Sequence, residues 1–157
     1  MTERADWDAG RVEEIAAARA HLEGPLLPIL HAVQAEYGYL PRESIPVIAK
    51  ALNVTRAEVH GVVSFYHDFR EQPPGTCVVK ICRAEACQAM GCRDLTAHAE
   101  DTLGVRLRSG NDSVSLEPVY CLGNCACSPA VMIDDRPYGR VDKARFDALV
   151  AAFADGS

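Results

Sequence analysis

The sequence predicts an α+β chain, with a small helical bundle over residues 1–70 followed by a compact layer of strands and helices over residues 77–157. Three observations lead there. Apolar residues recur at helical spacing as far as Tyr66. The stretch DFREQPPGT at 68–76 then carries Pro73, Pro74 and Gly75 with no apolar period. Beyond it, short β-branched runs alternate with helical stripes, the pattern of strands and helices sharing one core. Length alone would suggest one domain, so the change of period is what divides the 157 residues.

In the first part, Arg11–Leu22 reads as a helix with Val12, Ile15, Ala16 and Arg19 in one stripe, stopped by Gly24 and Pro25. Leu26–Tyr37 follows, with Leu26, Leu30, Val33 and Tyr37 in line and Gly38 as its end. Pro41 suits a helix start, and Ile45, Ile48, Ala49 and Leu52 form the next stripe. Thr55 and Glu58 make a capping box, and Val59, Val62, Val63 and Tyr66 are the expected buried face behind it. Four short helices in about 70 residues make a small and marginal bundle.

In the second part the expected order is a strand at Cys77–Ile81, a helix at Cys92–Leu103, strands at Ser113–Val119, at Ala130–Asp134 and near Tyr138–Val141, and a last helix at Asp142–Phe153. The first of these helices has Leu95, Ala99 and Leu103 on one stripe, and the last has Phe146, Leu149, Val150 and Phe153.

Seven cysteines carry the chemical signal. Cys82-x4-Cys87 and Cys121-x3-Cys125 each fall where a predicted strand gives way to a loop. Sulfurs bound to one tetrahedral metal lie roughly 3.8 Å apart, from metal–sulfur bonds of ~2.3 Å. Residues five apart on a strand lie ~16 Å apart, so residues 83–86 must leave the extended path if both thiols face one point. Cys77 and Cys82 differ by an odd number and point to opposite faces of their strand. A helix running through 87 and 92 would turn Cys92 away from a site that Cys87 faces. Cys127 shares a face with Cys125 if that segment is extended and is an alternative to it. The preferred ligand set is therefore Cys82, Cys87, Cys121 and Cys125, leaving Cys77, Cys92 and Cys127 as packed thiols. An odd count and the lack of a secretory leader at the start favour reduced thiols in a soluble, cytoplasmic protein over a disulfide framework. The x4 and x3 spacers, without a histidine in either loop, favour iron–sulfur chemistry over zinc, with zinc left open.

Composition removes other classes. Hydrophobic residues are 48% and charged residues 24% of the chain, as in ordinary globular proteins. With 16 basic against 22 acidic residues there is no basic surface to follow a phosphate backbone, so nucleic acid is not expected as a partner. There is no run of 18 apolar residues to insert in a membrane. Glycine-rich phosphate loops and a nucleophile elbow are also missing. His21, His31, His60, His67 and His98 lie in or beside helical segments and read as ordinary histidines. Arg93, Arg106, Arg108, Arg136, Arg140 and Arg145 read as a solvated face. Arg83 differs, because it lies between two expected ligands. What remains is a carrier whose catalytic pockets belong to other chains.

CRAEAC at 82–87, CLGNC at 121–125 followed by Pro129, GYLP at 38–41 and EVHGVVSFYHDF at 58–69 resemble the small thioredoxin-like 2Fe–2S subunit of NADH:quinone oxidoreductase and its relatives in NAD-linked hydrogenases and formate dehydrogenases. The resemblance runs from about Leu26 to Phe153. It implies a thioredoxin-like ferredoxin domain after the bundle and one 2Fe–2S cluster on Cys82, Cys87, Cys121 and Cys125. It also implies an FMN- and NAD-binding flavoprotein partner. Within the family, CRAEACQAMGC at 82–92 is most similar to the gamma subunit of NAD-dependent formate dehydrogenase. That likeness implies a non-catalytic electron-carrier subunit working with further iron–sulfur and molybdopterin chains. The equivalent subunit of NADH:quinone oxidoreductase or of a bidirectional hydrogenase is the alternative, and a zinc-stapled binding module is a third reading. SFYHDF at 64–69 is either a subunit contact, as its aromatic residues suggest, or the closing side of the bundle's own core.

Overall fold

The computed structural model describes residues 7–155. Backbone contacts divide them between Pro73 and Pro74 into two compact units.

The first unit contains α1 (Ala9–Ala17), α2 (Leu26–Tyr37), α3 (Ser44–Leu52) and α4 (Arg56–Phe65). Local chemistry sets most of their ends. The Asp8 side chain accepts from the Arg11 amide at 2.7 Å and caps α1. Gly38, at φ 80°, ends α2 in the left-handed conformation that glycine adopts without cost. Thr55 and Glu58 form the expected reciprocal capping box at the start of α4. The core gathers Val12, Ile29, Leu30, Val33, Ile48 and Val59, all fully buried, with Phe69 closing it.

Three expectations need correction here. Helix α1 stops at Ala17 rather than Leu22, because the Arg19 guanidinium folds back onto the Ile15 carbonyl at 3.2 Å and satisfies an orphan acceptor of the last turn. Pro41 precedes α3 instead of opening it: its carbonyl accepts from both the Ser44 amide and hydroxyl, a turn that delays the helix to Ser44. Tyr66 lies outside the buried stripe of α4. Its backbone is already extended, at φ −88° and ψ 109°, and its ring is exposed, as is that of Phe65. Phe69 takes the core position instead, its ring centroid 4.8 Å from that of His31 and tilted 49° to it.

The second unit runs β1 (Cys77–Cys82), α5 (Glu85–Ala89), α6 (Cys92–Leu103), β2 (Ser109–Gly110), β3 (Val114–Val119), a 3-10 turn at Cys125–Cys127, β4 (Val131–Ile133), β5 (Arg136–Tyr138) and α7 (Lys143–Asp155). Its five strands form one mixed sheet in the order β2-β3-β1-β4-β5. β1 and β3 pair in parallel from Cys77↔Val114 to Cys82↔Val119, while β4 pairs antiparallel to β1. Val79, Ile81, Leu116, Val131, Ile133 and Phe146 make the apolar core of this unit.

The parallel pairing is what positions the site. Parallel strands end at the same side of a sheet, so the segments after Cys82 and after Val119 leave from one end. The strand expected near Tyr138–Val141 is displaced to Arg136–Tyr138. Asp134 and Asp135, both at positive φ, make a tight turn that brings the chain back at once against β4. Helix α5, the short β2 and the 3-10 turn are not foreshadowed by the sequence pattern, each being too short to show a period.

Candidate metal centre

The first cysteine pair is built by a strand end and a single helical turn. Cys82 is the last residue of β1, held by its amide to the Ala130 carbonyl at 3.0 Å, and the Arg83 amide extends the ladder to the Val119 carbonyl at 2.7 Å. The chain leaves the extended path after Ala84, which is itself still extended at φ −74° and ψ 166°, and enters α5, which carries Cys87 in its first turn. This is the departure that the spacing required. Cys82 and Cys87 are both buried, in one cluster with Cys92 and Ala130 against which Ala84, Val119 and Leu122 pack.

The second pair is built by a loop. Cys121 sits at φ 114°, a conformation that a residue with a side chain adopts at a cost of about 1–3 kcal/mol and only where its surroundings impose it. Its Sγ lies 3.8 Å from that of Cys125, the separation of two sulfurs on one tetrahedral metal. The Gly123 amide donates to the Cys121 sulfur at 3.3 Å. Both sulfurs of this pair belong to exposed residues.

The two loops are tied to one another. The backbone amides of Ala84, in the first loop, and of Leu122, in the second, both donate to the Cys82 sulfur. Cys87 Sγ donates to the Ser128 hydroxyl at 3.6 Å, and that hydroxyl donates to the Cys125 carbonyl at 2.7 Å. Electrostatics gives the same picture. Burial, first, and the Cys87 thiol push the Cys82 thiol up, against the two amides. The Cys125 thiol is pushed up chiefly by Cys121, with Cys87 and Cys82 adding to it. Four thiolates so placed repel one another, and a metal group among them supplies the opposite charge. Among the described residues no three metal-binding side chains yet form one ligating group, so the four cysteines stand as two pairs. Their donor set, the 3.8 Å pair and the amides directed at sulfur fit a cluster held by thiolates.

The remaining cysteines divide. Cys77 opens β1, at the opposite end of the strand from Cys82, where burial and then Asp134 push its thiol up to about 11. Cys92 is corrected in its position. Helix α5 ends at Ala89 and Gly91, at φ 90°, separates it from α6, so no continuous helix turns Cys92 away. It is fully buried beside Cys82 and Cys87. Cys127 does not share a face with Cys125, because residues 125–127 form a 3-10 turn in which positions two apart diverge by about 120°.

Ser128, Leu122 and Gly139 support the site without any signal in the sequence. A Cβ on Gly139 would stand 2.6 Å from Cys127 Cβ and 2.7 Å from Asn124 Nδ2. The next amide, of Arg140, donates to the Cys127 carbonyl at 2.6 Å, so the segment after β5 braces the second loop. Such contacts join residues distant in the chain, where local spacing carries no information.

Comparison with known proteins identifies the architecture. Residues 12–154 match the model of the thioredoxin-like [2Fe-2S] ferredoxin family. An NADH-quinone oxidoreductase subunit of Rhizobium meliloti is 34% identical over 146 residues, covering 90% of this chain and 87% of that protein. The NADP-reducing hydrogenase subunit HndA of Solidesulfovibrio fructosivorans is 33% identical, covering 83% of this chain and 78% of its own. Among solved structures, an NAD+-reducing [NiFe]-hydrogenase in the H2-reduced state aligns with a TM-score of 0.63 at 24% identity, a likeness of fold. That alignment covers 78% of this chain and 21% of the hydrogenase chain, so the protein spans about a fifth of the structure it resembles. No described helix is long and apolar enough to cross a membrane. The chain belongs to the thioredoxin-like [2Fe-2S] ferredoxin family, whose cofactor is one 2Fe–2S cluster and whose chemistry is electron transfer.

Proposed function

We propose that this protein is the 2Fe–2S electron-transfer subunit of a cytoplasmic NAD-dependent formate dehydrogenase, with Cys82, Cys87, Cys121 and Cys125 as the cluster's ligands. The observation that carries the ligand set is the parallel register of β1 and β3, which brings the two cysteine loops to one end of the sheet, with Cys121 and Cys125 sulfurs already at 3.8 Å. When bound, the cluster supplies one-electron transfer. The chain's own residues hold it and shape access to it. Cys82 and Cys87 form a dry inner side, and the amides of Ala84, Leu122 and Gly123 donate to sulfur. Cys121 and Cys125 form the open side, flanked in sequence by the exposed Tyr120.

That open side is where an FMN- and NAD-binding flavoprotein subunit would dock, since transfer between redox groups weakens steeply with distance. Residues 1–70 and 77–157 act as separate domains in this reading, the first carrying the exposed Phe65 and Tyr66 toward permanent subunit contacts. Formate is favoured by the likeness of CRAEACQAMGC at 82–92 to the formate dehydrogenase gamma subunit. The equivalent subunit of an NADH:quinone oxidoreductase or NAD-linked hydrogenase is the second reading, supported by the names of the relatives above.

Purification of the intact complex from its own organism separates them. Formate and NADH are each expected to bleach the visible 2Fe–2S absorbance, and a molybdenum- or tungsten-bearing chain should co-purify. Bleaching by hydrogen with a nickel-bearing chain, or co-purification with membrane subunits, would replace formate dehydrogenase by the second reading.

A further inference from the structure

We propose that Arg83 is the cluster's half-buried counter-cation and sets its reduction potential upward. The inference rests on the ligand assignment above. Arg83 lies between two of those ligands in the chain, with its amide fixed to the Val119 carbonyl at 2.7 Å and its carbonyl accepting from Gln88 Nε2 at 3.0 Å. Its side chain turns inward. Nη1 reaches the Thr96 hydroxyl at 3.5 Å, and that hydroxyl donates to the Cys92 carbonyl at 2.7 Å. The guanidinium is thereby anchored at the start of α6, where Cys92 packs directly against Cys82 and Cys87.

The Arg83 Nε atom is buried and has no hydrogen-bond partner. Among the described residues no carboxylate forms an ion pair with Arg83. A buried donor without a partner costs free energy, and more so on a charged group, unless an acceptor or anion compensates it. With the cluster bound, the thiolate set that flanks Arg83 in the chain would supply that negative charge. Thr96, which Arg83 Nη1 reaches, is bound to the Cys92 carbonyl, and Cys92 shares one buried cluster with Cys87 and Cys82. Arg83 and the two inner ligands therefore share one electrostatic neighbourhood. Arg93, the other arginine of this segment, is exposed and bound to Gln88 at 2.8 Å, so solvent screens it.

Four thiolates, two ferric ions and two sulfides sum to a dianion, and uptake of one electron without a proton makes a trianion. A fixed cation stabilises the trianion more than the dianion, so it favours the reduced form. The neutral part of the pocket does the opposite.

The test is a one-electron redox titration of the full-length protein with dithionite as reductant, followed by EPR. Arg83→Met is expected to keep iron content and signal shape but to lower the ratio of reduced to oxidised cluster at a fixed potential by at least tenfold, about 59 mV for one electron. Arg83→Lys should recover most of that ratio, and Arg93→Met should leave it within twofold. A ratio within twofold of the native protein in Arg83→Met overturns the inference, as does an equal fall in Arg83→Lys, which would assign the effect to packing. Should Arg83→Met and Arg83→Gln both lose iron, retention by Arg83→Lys supports the charge role, and loss in all three overturns it. Failure of the native protein to hold a 2Fe–2S cluster would instead sink the ligand assignment on which this rests.

Discussion

The two units of the chain are stabilised by different means. The helical unit is conventional, with an apolar core, capped helix ends and, among the described residues, one buried polar side chain, Ser44, that is satisfied within its own turn. The cysteine-bearing unit adds a buried thiol cluster, the buried Thr96, Ser115 and Ser128, and most of the backbone strain. Of the described non-glycine residues at positive φ, Asn53 alone belongs to the first unit, at a helix end. Arg108, Cys121, Asp134, Asp135 and Arg140 belong to the second. Strain of this kind persists where something else over-determines the structure. Here that is the sheet on one side and, for Cys121 as a proposed ligand, metal–sulfur bonds on the other, which would tie folding to cofactor binding.

The largest expected effect breaks that tie directly. Cys87→Ala should lose the cluster entirely, measured as iron, acid-labile sulfide and visible absorbance, while the helical unit keeps its melting transition. The same holds for Cys82, Cys121 and Cys125. Cys127→Ser should keep the cluster, because Cys127 diverges from Cys125 around the 3-10 turn. Native iron and spectrum in Cys87→Ala would require another thiol in its place, and the buried Cys92 is the one positioned to supply it.

The contrast also governs what could be read in advance. In the helical unit, period and capping chemistry are local, so Leu26–Tyr37 with Gly38 and the Thr55–Glu58 box are found where the pattern sets them. Errors there arise where a single side chain or carbonyl decides an end, as Arg19 does for α1 and Pro41 for α3. In the second unit the long elements, β1, α6, β3 and α7, were legible, as was the need for the chain to turn after Cys82. What was not legible is how it turns. Helix α5 is five residues long, and Gly91 breaks the path between Cys87 and Cys92, so the angle expected within one helix does not apply. The Ser128 and Gly139 contacts depend on tertiary closure alone.

Next in size is a cavity in the other unit. Ile48 is fully buried in the helical core, and Ile48→Ala should cost about 2–5 kcal/mol in denaturant unfolding of that unit. If the units are independent, the visible spectrum and the EPR signal persist through this transition. Simultaneous loss of the cluster would show that they unfold as one.

Glycine substitutions should separate the units by sign. Gly139→Ala drives a Cβ to 2.6 Å from Cys127 and 2.7 Å from Asn124, and overpacking of that kind costs about 1–3 kcal/mol. It should appear as cluster release at lower temperature. Gly61, inside α4, leaves open space within 4 Å of where an alanine methyl would stand, so Gly61→Ala should stabilise the helical unit by about 0.5–1 kcal/mol through reduced backbone entropy. Equal responses at the two glycines would remove the distinction between a braced loop and an ordinary helix.

The smallest effect tests whether the helical unit is held by local chemistry to the extent its sequence indicates. Thr55 Oγ1 accepts from the Glu58 amide at 3.1 Å, and the Glu58 carboxylate accepts from the Thr55 amide at 2.8 Å. Thr55→Ala should cost about 1 kcal/mol, within the range measured for lost helix caps. It should also change the response to acid. The Thr55 amide, and then its hydroxyl, hold the Glu58 carboxyl below its ordinary range. A depressed carboxyl contributes stability above its unfolded value, and that contribution is lost as pH falls through the folded one. Thr55→Ala removes the hydroxyl's share, so the helical unit of the variant should lose less stability than the native protein between neutral pH and acid. Cluster content should be the same in both at neutral pH. An unchanged acid response, with stability lowered equally at every pH, would mean that the cap acts through helix geometry alone and that the Glu58 charge contributes nothing measurable there.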